Sequence, residues 1–202
     1  MQILVLSGSR NREGQTARAI NSVCKGASAG GATNEVIFLP ELKLERCRQC
    51  DPSGNGSCTF EGYCIIEDDF SAILDKVRAA DAVVFASPVY FGDLTESMRG
   101  FLDRYRRVCF HRVMAGGEYS QTPAGPGTPA IILCYAGGMS GNGAISCAAN
   151  MNAILQRCSF DIVDVILARR QNLDVKIPML ELTGKWLATK PTSGPPLRPQ
   201  DR

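Results

Sequence analysis

A chain of 202 residues, 45% hydrophobic and 21% charged, is long enough to bury a full core without disulfide staples and too apolar to be intrinsically disordered. Lysine and arginine number 22 against 20 aspartates and glutamates, a net charge of +2, which argues against a nucleic-acid binder. No apolar run approaches the ~20 residues that a membrane-spanning helix needs, and the first residues lack the basic and apolar regions of an export signal, so a cytoplasmic protein is expected.

Residues 3–6 (Ile3, Leu4, Val5, Leu6) read as a short buried parallel strand. A polar loop over 7–14 leads to a helix that starts near Gln15 and Thr16 and carries Ile20, Val23 and Cys24 on one face. Residues 35–39 form a second strand, ended by Pro40. Beyond a cysteine-rich stretch, Asp68 and Asp69 stand where an N-cap and the helix dipole favour carboxylates. The helix they open places Phe70, Ile73, Leu74 and Val77 at i, i+3, i+4, i+7. Residues 82–86 make a third strand. After the loop 87–92, a helix turns Leu94, Met98, Phe101, Leu102 and Tyr105 inward and Arg99, Arg104, Arg106 and Arg107 outward. With Arg112, these arginines read by default as a solvated face, and otherwise as a dock for an acidic partner. The one histidine, His111, lies near the end of this helix and is given no role. A Gly/Pro-rich connection over 116–127 precedes a fourth strand, 130–135, and a glycine-rich loop, 137–143. A helix with Cys147, Met151, Ile154 and Cys158 on one stripe leads to a fifth strand, 162–168.

Strands alternating with helices imply an α/β protein: a flavodoxin-like, doubly wound, five-stranded parallel sheet with helices on both faces. The expected domain covers 1–169, with a cysteine-rich insertion at 43–68. Residues 170–202 form a C-terminal extension, in which 179–188 makes a short helix and 190–202, with four prolines, is disordered.

In such a fold the loops after the first, third and fourth strands meet at the carboxyl edge of the sheet. The first loop is not a Walker P-loop, because five residues separate Gly8 from Gly14 and Gln15 stands where the lysine would be. It offers Ser9, Thr16, two arginines and a helix N-terminus, a set that suits a phosphate dianion and equally a tight βα turn. The second loop pairs backbone groups with Val89, Tyr90 and Phe91, suiting a flat heteroaromatic ring or a simple cap on the core. The third, with Gly137, Gly138, Gly141 and Gly143, lets backbone approach a ligand closely.

Nine cysteines, an odd number without an export signal, argue against a disulfide framework. Cys24, Cys109, Cys134, Cys147 and Cys158 are scattered and read as small core residues. Cys47, Cys50, Cys58 and Cys64 crowd into one stretch with two, seven and five residues between them. Four thiolates suit an iron–sulfur cluster; tetrathiolate zinc and a loop of reduced thiols are the alternatives.

At Ser7-Gly8-Ser9-Arg10, Gly14-Gln15-Thr16, 87–92 and Phe101-Leu102-Asp103-Arg104, the chain resembles the NADPH-dependent FMN reductase family of flavodoxin-like proteins, from Met1 to about Arg169. The resemblance implies FMN, its phosphate held by Ser9, Arg10, Gln15 and Thr16 with Gly14 among them. Pro88, Val89, Tyr90, Phe91 and Gly92 would contact the isoalloxazine, and Ala136, Gly137 and Gly138 the ring or ribityl. Arg10 departs from the family's usual proline followed by a basic residue. The cysteine stretch resembles the iron-sulfur flavoproteins, a branch of that family. There the second and third cysteines are two residues apart, against seven here, while the final spacing and Ile65-Ile66-Glu67-Asp68-Asp69 match. This implies that Cys47, Cys50, Cys58 and Cys64 ligate one 4Fe-4S cluster.

The expected protein is an FMN-dependent oxidoreductase or electron-transfer flavoprotein, a homodimer or homotetramer, supplied by ferredoxin or by reduced nicotinamide, NAD(P)H. The cofactors do the chemistry, so no catalytic side chain is assigned. One alternative is a cluster-free NAD(P)H-dependent FMN or quinone reductase. Another is a flavin-binding electron carrier or redox sensor without turnover.

Overall fold

The structure, a computed structural model, describes residues 1–53, 56–114, 127–138 and 143–191. Residues 116–126 of the expected connection, Gly141, the tail beyond 191 and the side chains of His111 and Arg112 lie outside the described residues.

The five expected strands form as β1 (Gln2–Ser7), β2 (Thr33–Phe38), β3 (Ala82–Pro88), β4 (Pro129–Ala136) and β5 (Asp161–Arg169). All pair in parallel, in the order β2-β1-β3-β4-β5. That is the flavodoxin-like order, whose switch point falls between β1 and β3. At that point Gly8 N–H donates to Ala86 O at 2.8 Å, tying the two strand ends together. Alternation along β1 sends Leu4 and Leu6 into one core layer and Ile3 and Val5 into the other.

The α-helices among the described residues are α1 (Gln15–Ala29), α2 (Ser57–Phe60), α3 (Phe70–Ala79), α4 (Glu96–Met114), α5 (Gly143–Arg157) and α6 (Leu173–Leu187). The first layer joins Phe70, Ile73 and Val77 of α3 to Met98, Phe101 and Tyr105 of α4 and Cys147 and Met151 of α5. The second joins Ile20 and Val23 of α1 to Leu173, Leu180 and Leu187 of α6. No helix among the described residues is long and apolar enough to cross a membrane.

Helix α6 departs from expectation, since it begins at Leu173 rather than Met179 and is built into the core. Two glycines allow this. A Cβ on Gly26 would stand 1.8 Å from Glu181 O, and one on Gly184 would stand 1.9 Å from Val23 O. The helices therefore cross backbone against backbone. Lys25–Glu181 at 2.8 Å and Arg18–Asp174 at 2.6 Å flank the crossing. Sequence periodicity missed the first half of α6 because Pro178 interrupts the pattern.

Candidate functional site

The loops after β1, β3 and β4 line one cleft of about 550 Å3. Ser9, Arg10, Gly14, Gln15, Thr16, Pro88, Val89, Tyr90, Phe91, Gly92, Ala136, Gly137 and Gly138 all border it, with Asn11 and Tyr135. The sequence reading had not singled out those last two.

Within the first loop, Ser9 Oγ donates to Asn11 O at 3.1 Å and accepts from Asn11 N–H at 3.2 Å, while Asn11 Oδ1 accepts from Glu13 N–H at 2.9 Å. Asn11 thereby folds the turn and Ser9 is engaged in shaping it. Thr16 is buried beside the start of α1, whose N-terminal amides receive no side-chain cap. Uncapped amides at the positive end of a helix dipole favour an anion there. Arg10 is mostly exposed, with Glu96 at 3.9 Å. Arg12 is not part of the cleft. It pairs with Glu41 through Nε at 2.6 Å and a second guanidinium bond, and it covers the Phe38 ring at 4.7 Å.

In the second loop, Tyr90 and Asp93 bridge through 3.1 and 3.0 Å backbone bonds, which project Phe91 fully into solvent at φ +50°. An aromatic residue held in the left-handed region stores strain, as functional turns often do. Asp93 holds the turn: its Oδ1 accepts from Leu94 N–H at 2.8 Å, Asn150 Nδ2 at 3.2 Å and Arg99 Nη2 at 2.7 Å. Burial works against its charge, but these donors keep its pKa below the usual carboxylate value. Thr95 caps α4 by accepting from Met98 N–H at 3.4 Å, and Gly8 is needed because a Cβ there would meet Thr95 Oγ1 at 2.2 Å.

Cys47, Cys50, Cys58 and Cys64 line a second, smaller cavity together with Arg48, Arg104 and Arg107. Its enclosed space is about 30 Å3, and among the described residues no three His, Cys, Asp or Glu side chains form a group that could hold a metal ion. What fits an iron–sulfur cluster is the donor set, four cysteine sulfurs about one cavity with a buried cation beside them.

That cation corrects the reading of Arg104 as solvated. It is 2% exposed and lies over Phe70 at 4.2 Å. Nη1 donates to Asp68 Oδ2 at 2.5 Å and to Glu45 O at 3.1 Å; Nη2 donates to Asp68 Oδ1 at 2.9 Å and to Cys64 Sγ at 3.3 Å. Nε is buried without a partner, which costs about 1–3 kcal/mol. Burial opposes the Arg104 charge, yet Asp68 and Cys64 carry its pKa above the ordinary value. Burial likewise opposes the Asp68 charge, and Arg104 with the Glu45 and Phe70 amides pulls its pKa down. Asp68 therefore does more than begin α3: it joins α3, α4 and the cysteine loop. A usable signal existed, for residue 104 sits three after Phe101 and four before Val108, within the inward arc.

The scattered cysteines behave as packing residues. Cys134 and Cys147 are buried 3.5 Å apart, and that contact with burial pushes the Cys134 thiol up; burial raises the Cys24 thiol to about 11.

The sequence profile of the NADPH-dependent FMN reductases matches residues 1–165. An iron-sulfur flavoprotein of Methanocaldococcus jannaschii is 33% identical over 106 residues, 52% of this chain and 52% of its own. One of Archaeoglobus fulgidus is 28% identical over 138 residues, 67% of this chain and 60% of its own. The chain spans about half the length of the first curated relatives it matches. Among solved structures, a flavone reductase superposes with a TM-score of 0.68 at 19% identity, over 94% of this chain and 62% of that one. An NAD(P)H:quinone oxidoreductase from Methanothermobacter marburgensis gives 0.67 at 19% identity, over 93% and 96%. At such identities these two structures bear on the fold alone.

Proposed function

The chain belongs to the NADPH-dependent FMN reductase family, and from that premise we propose that it is an FMN-dependent oxidoreductase carrying an iron–sulfur cluster. The observation that carries the flavin part is the convergence of three loops, distant in sequence, on one cleft at the switch point of the sheet. Thr16, Gln15 and the uncapped α1 amides would hold the phosphate, with Gly14 leaving room and Arg10 adding charge at the mouth. Ser9 keeps the loop in shape. Residues 88–92 would flank the isoalloxazine through backbone groups and the Tyr90 and Phe91 rings, while Ala136, Gly137 and Gly138 border the ribityl side. FMN, when bound, supplies one- and two-electron transfer; the chain orients it and limits water access.

Cys47, Cys50, Cys58 and Cys64 would ligate the cluster, as the names of the iron-sulfur flavoproteins it resembles support. Ligation would draw the loop into its final form, since metal sites commonly fold as they fill. The electron donor in this reading is ferredoxin or NAD(P)H, and the location cytoplasmic. Tyr90 and Phe91 at the cleft, and Phe60, Tyr63 and Ile65 on the cysteine loop, are exposed apolar surface that a second copy of the chain would cover in a homodimer or homotetramer.

Anaerobic purification followed by flavin extraction and assay of iron and acid-labile sulfide tests the reading. FMN with four irons and four sulfides per chain is expected. FAD, or no flavin after saturation, refutes it. A cluster-free NAD(P)H-dependent reductase is the second reading, favoured by the small cavity between the cysteines. Flavin without sulfide, with NADPH oxidation intact, would select it. Light scattering at micromolar concentration reads the assembly, and a monomer mass counts against the oligomer.

A further inference from the structure

The Arg104–Asp68 pair is the most deeply buried charge in the described part of the cysteine region, and the reading above leaves it without a task. Both side chains are at most 4% exposed. Asp68 is satisfied on both oxygens, accepting from Arg104, Glu45 N–H and Phe70 N–H. Arg104 is not: after Asp68 and Glu45 O, it reaches outward to Cys64 Sγ at 3.3 Å and retains an unpaired Nε–H. Arg48, also at this cavity, is more than half exposed and paired to Glu45, so water screens it. Arg107 also lines the cavity and is half-buried, whereas Arg104 is the fully buried cation there and the one bonded to a cysteine sulfur.

We infer that Arg104, held in register by Asp68, is a positioning residue for the four-cysteine cavity, fixing the Cys64 sulfur and raising the reduction potential of the cluster ligated there. The inference rests on the cluster reading above and adds to it. Reduction adds one electron and no proton, so the cluster and its thiolates gain one unit of negative charge. A guanidinium in contact with a ligand sulfur stabilises that reduced state more than the oxidised one. Hydrogen bonds to cluster sulfurs and local net charge are among the levers that set such potentials. The direct contact to Cys64 puts the positive end of the pair toward the cavity, with Asp68 behind it.

The two members should therefore act in opposite directions. An anaerobic reductive titration of the reconstituted full chain, followed by EPR, reads the midpoint, with iron, sulfide and FMN per chain measured alongside. The double variant Arg104→Met with Asp68→Asn, which leaves no buried charge unpaired, should lower the reduced-to-oxidised ratio at fixed potential at least tenfold, or 59 mV for a one-electron couple. Asp68→Asn alone should move the midpoint upward. Arg104→Lys keeps the charge and loses the fork, so its midpoint should fall between wild type and the double variant; it carries the test if the double variant loses FMN together with iron. Variants that keep FMN but lose iron support the positioning role. Full iron at the wild-type potential in Arg104→Lys and the double variant overturns the inference while leaving the cluster standing. A wild-type chain without iron or sulfide overturns both.

Discussion

Ser9 in the first loop and Thr16 in the first turn of α1 both border the cleft, but only the threonine hydroxyl has no loop partner to give up. Ser9 Oγ already serves both backbone groups of Asn11. Thr16→Ala should weaken FMN by about 1.5–3 kcal/mol, the value of a hydrogen bond to a charged group, and leave riboflavin affinity unchanged. Ser9→Ala should cost both ligands a similar, smaller amount, because it loosens the turn. Calorimetry with the two flavins separates these outcomes, and equal losses for Thr16→Ala would remove it from the phosphate. The cysteines divide in the same way. Serine at Cys47, Cys50, Cys58 or Cys64 should release iron and leave FMN bound, whereas Cys134→Ser, in the buried pair with Cys147, should keep iron and lower the melting temperature. Glycine, serine and cysteine spacing made these residues legible in the sequence. Arg104 was legible only in its spacing to Phe101 and Val108, a signal outweighed by the arginine-rich helix, which reads as solvated until Asp68, 36 positions away, is seen to meet it.

Elements were legible where one periodicity ran unbroken. The five strands and the inward stripe of α4 follow directly from apolar runs and i, i+3, i+4 spacing. Helix α6 was half lost because Pro178 interrupts its pattern, and because close helix packing depends on glycines that carry no hydropathy signal. Gly184→Ala tests that packing. Alanine gains about 1 kcal/mol of helix propensity over glycine. Its Cβ would nevertheless stand 1.9 Å from Val23 O, a backbone atom that cannot rotate away. The net expected effect is destabilisation by about 1–3 kcal/mol, seen as a lower urea midpoint. Acid should act on the junction of α3 and α4. The folded pKa of Asp68 lies below its ordinary 3.8, so its contribution is complete above that value and is lost as pH falls through the depressed one. Accessibility of the cysteine loop to protease should therefore rise below pH 3.8 in the wild-type chain. In Asp68→Asn, which has no carboxylate to titrate, that acid step should be absent.

For the whole molecule, alternation of five strands with helices made a parallel sheet legible and fitted the flavodoxin-like order, which places the cleft. The convergence of the four cysteines on a cavity backed by α4 could not, because sequence order says nothing about which helix a loop packs against. Occupation of the cleft should register as global stability, since loops after β1, β3 and β4 all close on it. FMN at a hundred times its dissociation constant adds about 2.7 kcal/mol. For a chain of this size that corresponds to a rise in melting temperature of about 5–11 °C. Calorimetry with FMN and with FAD checks it, and an equal shift with FAD would place the adenylate inside the cleft. Truncation after Arg169 should leave the apolar face of α1 uncovered and give aggregated protein, because Leu173, Leu180 and Leu187 belong to that core layer.

The interlocked backbones of α1 and α6 also impose a schedule on synthesis. Lys25 and Glu181 meet across 156 positions of chain. At about 5–20 residues per second, a ribosome would leave the glycine groove of α1 empty for about 8–30 s after that helix is made. During this interval Ile20 and Val23 have no α6 to cover them, while the sheet beside them is still gaining strands. The nascent chain is thus most exposed to chaperones early, through its first helix, and becomes secure only as α6 arrives.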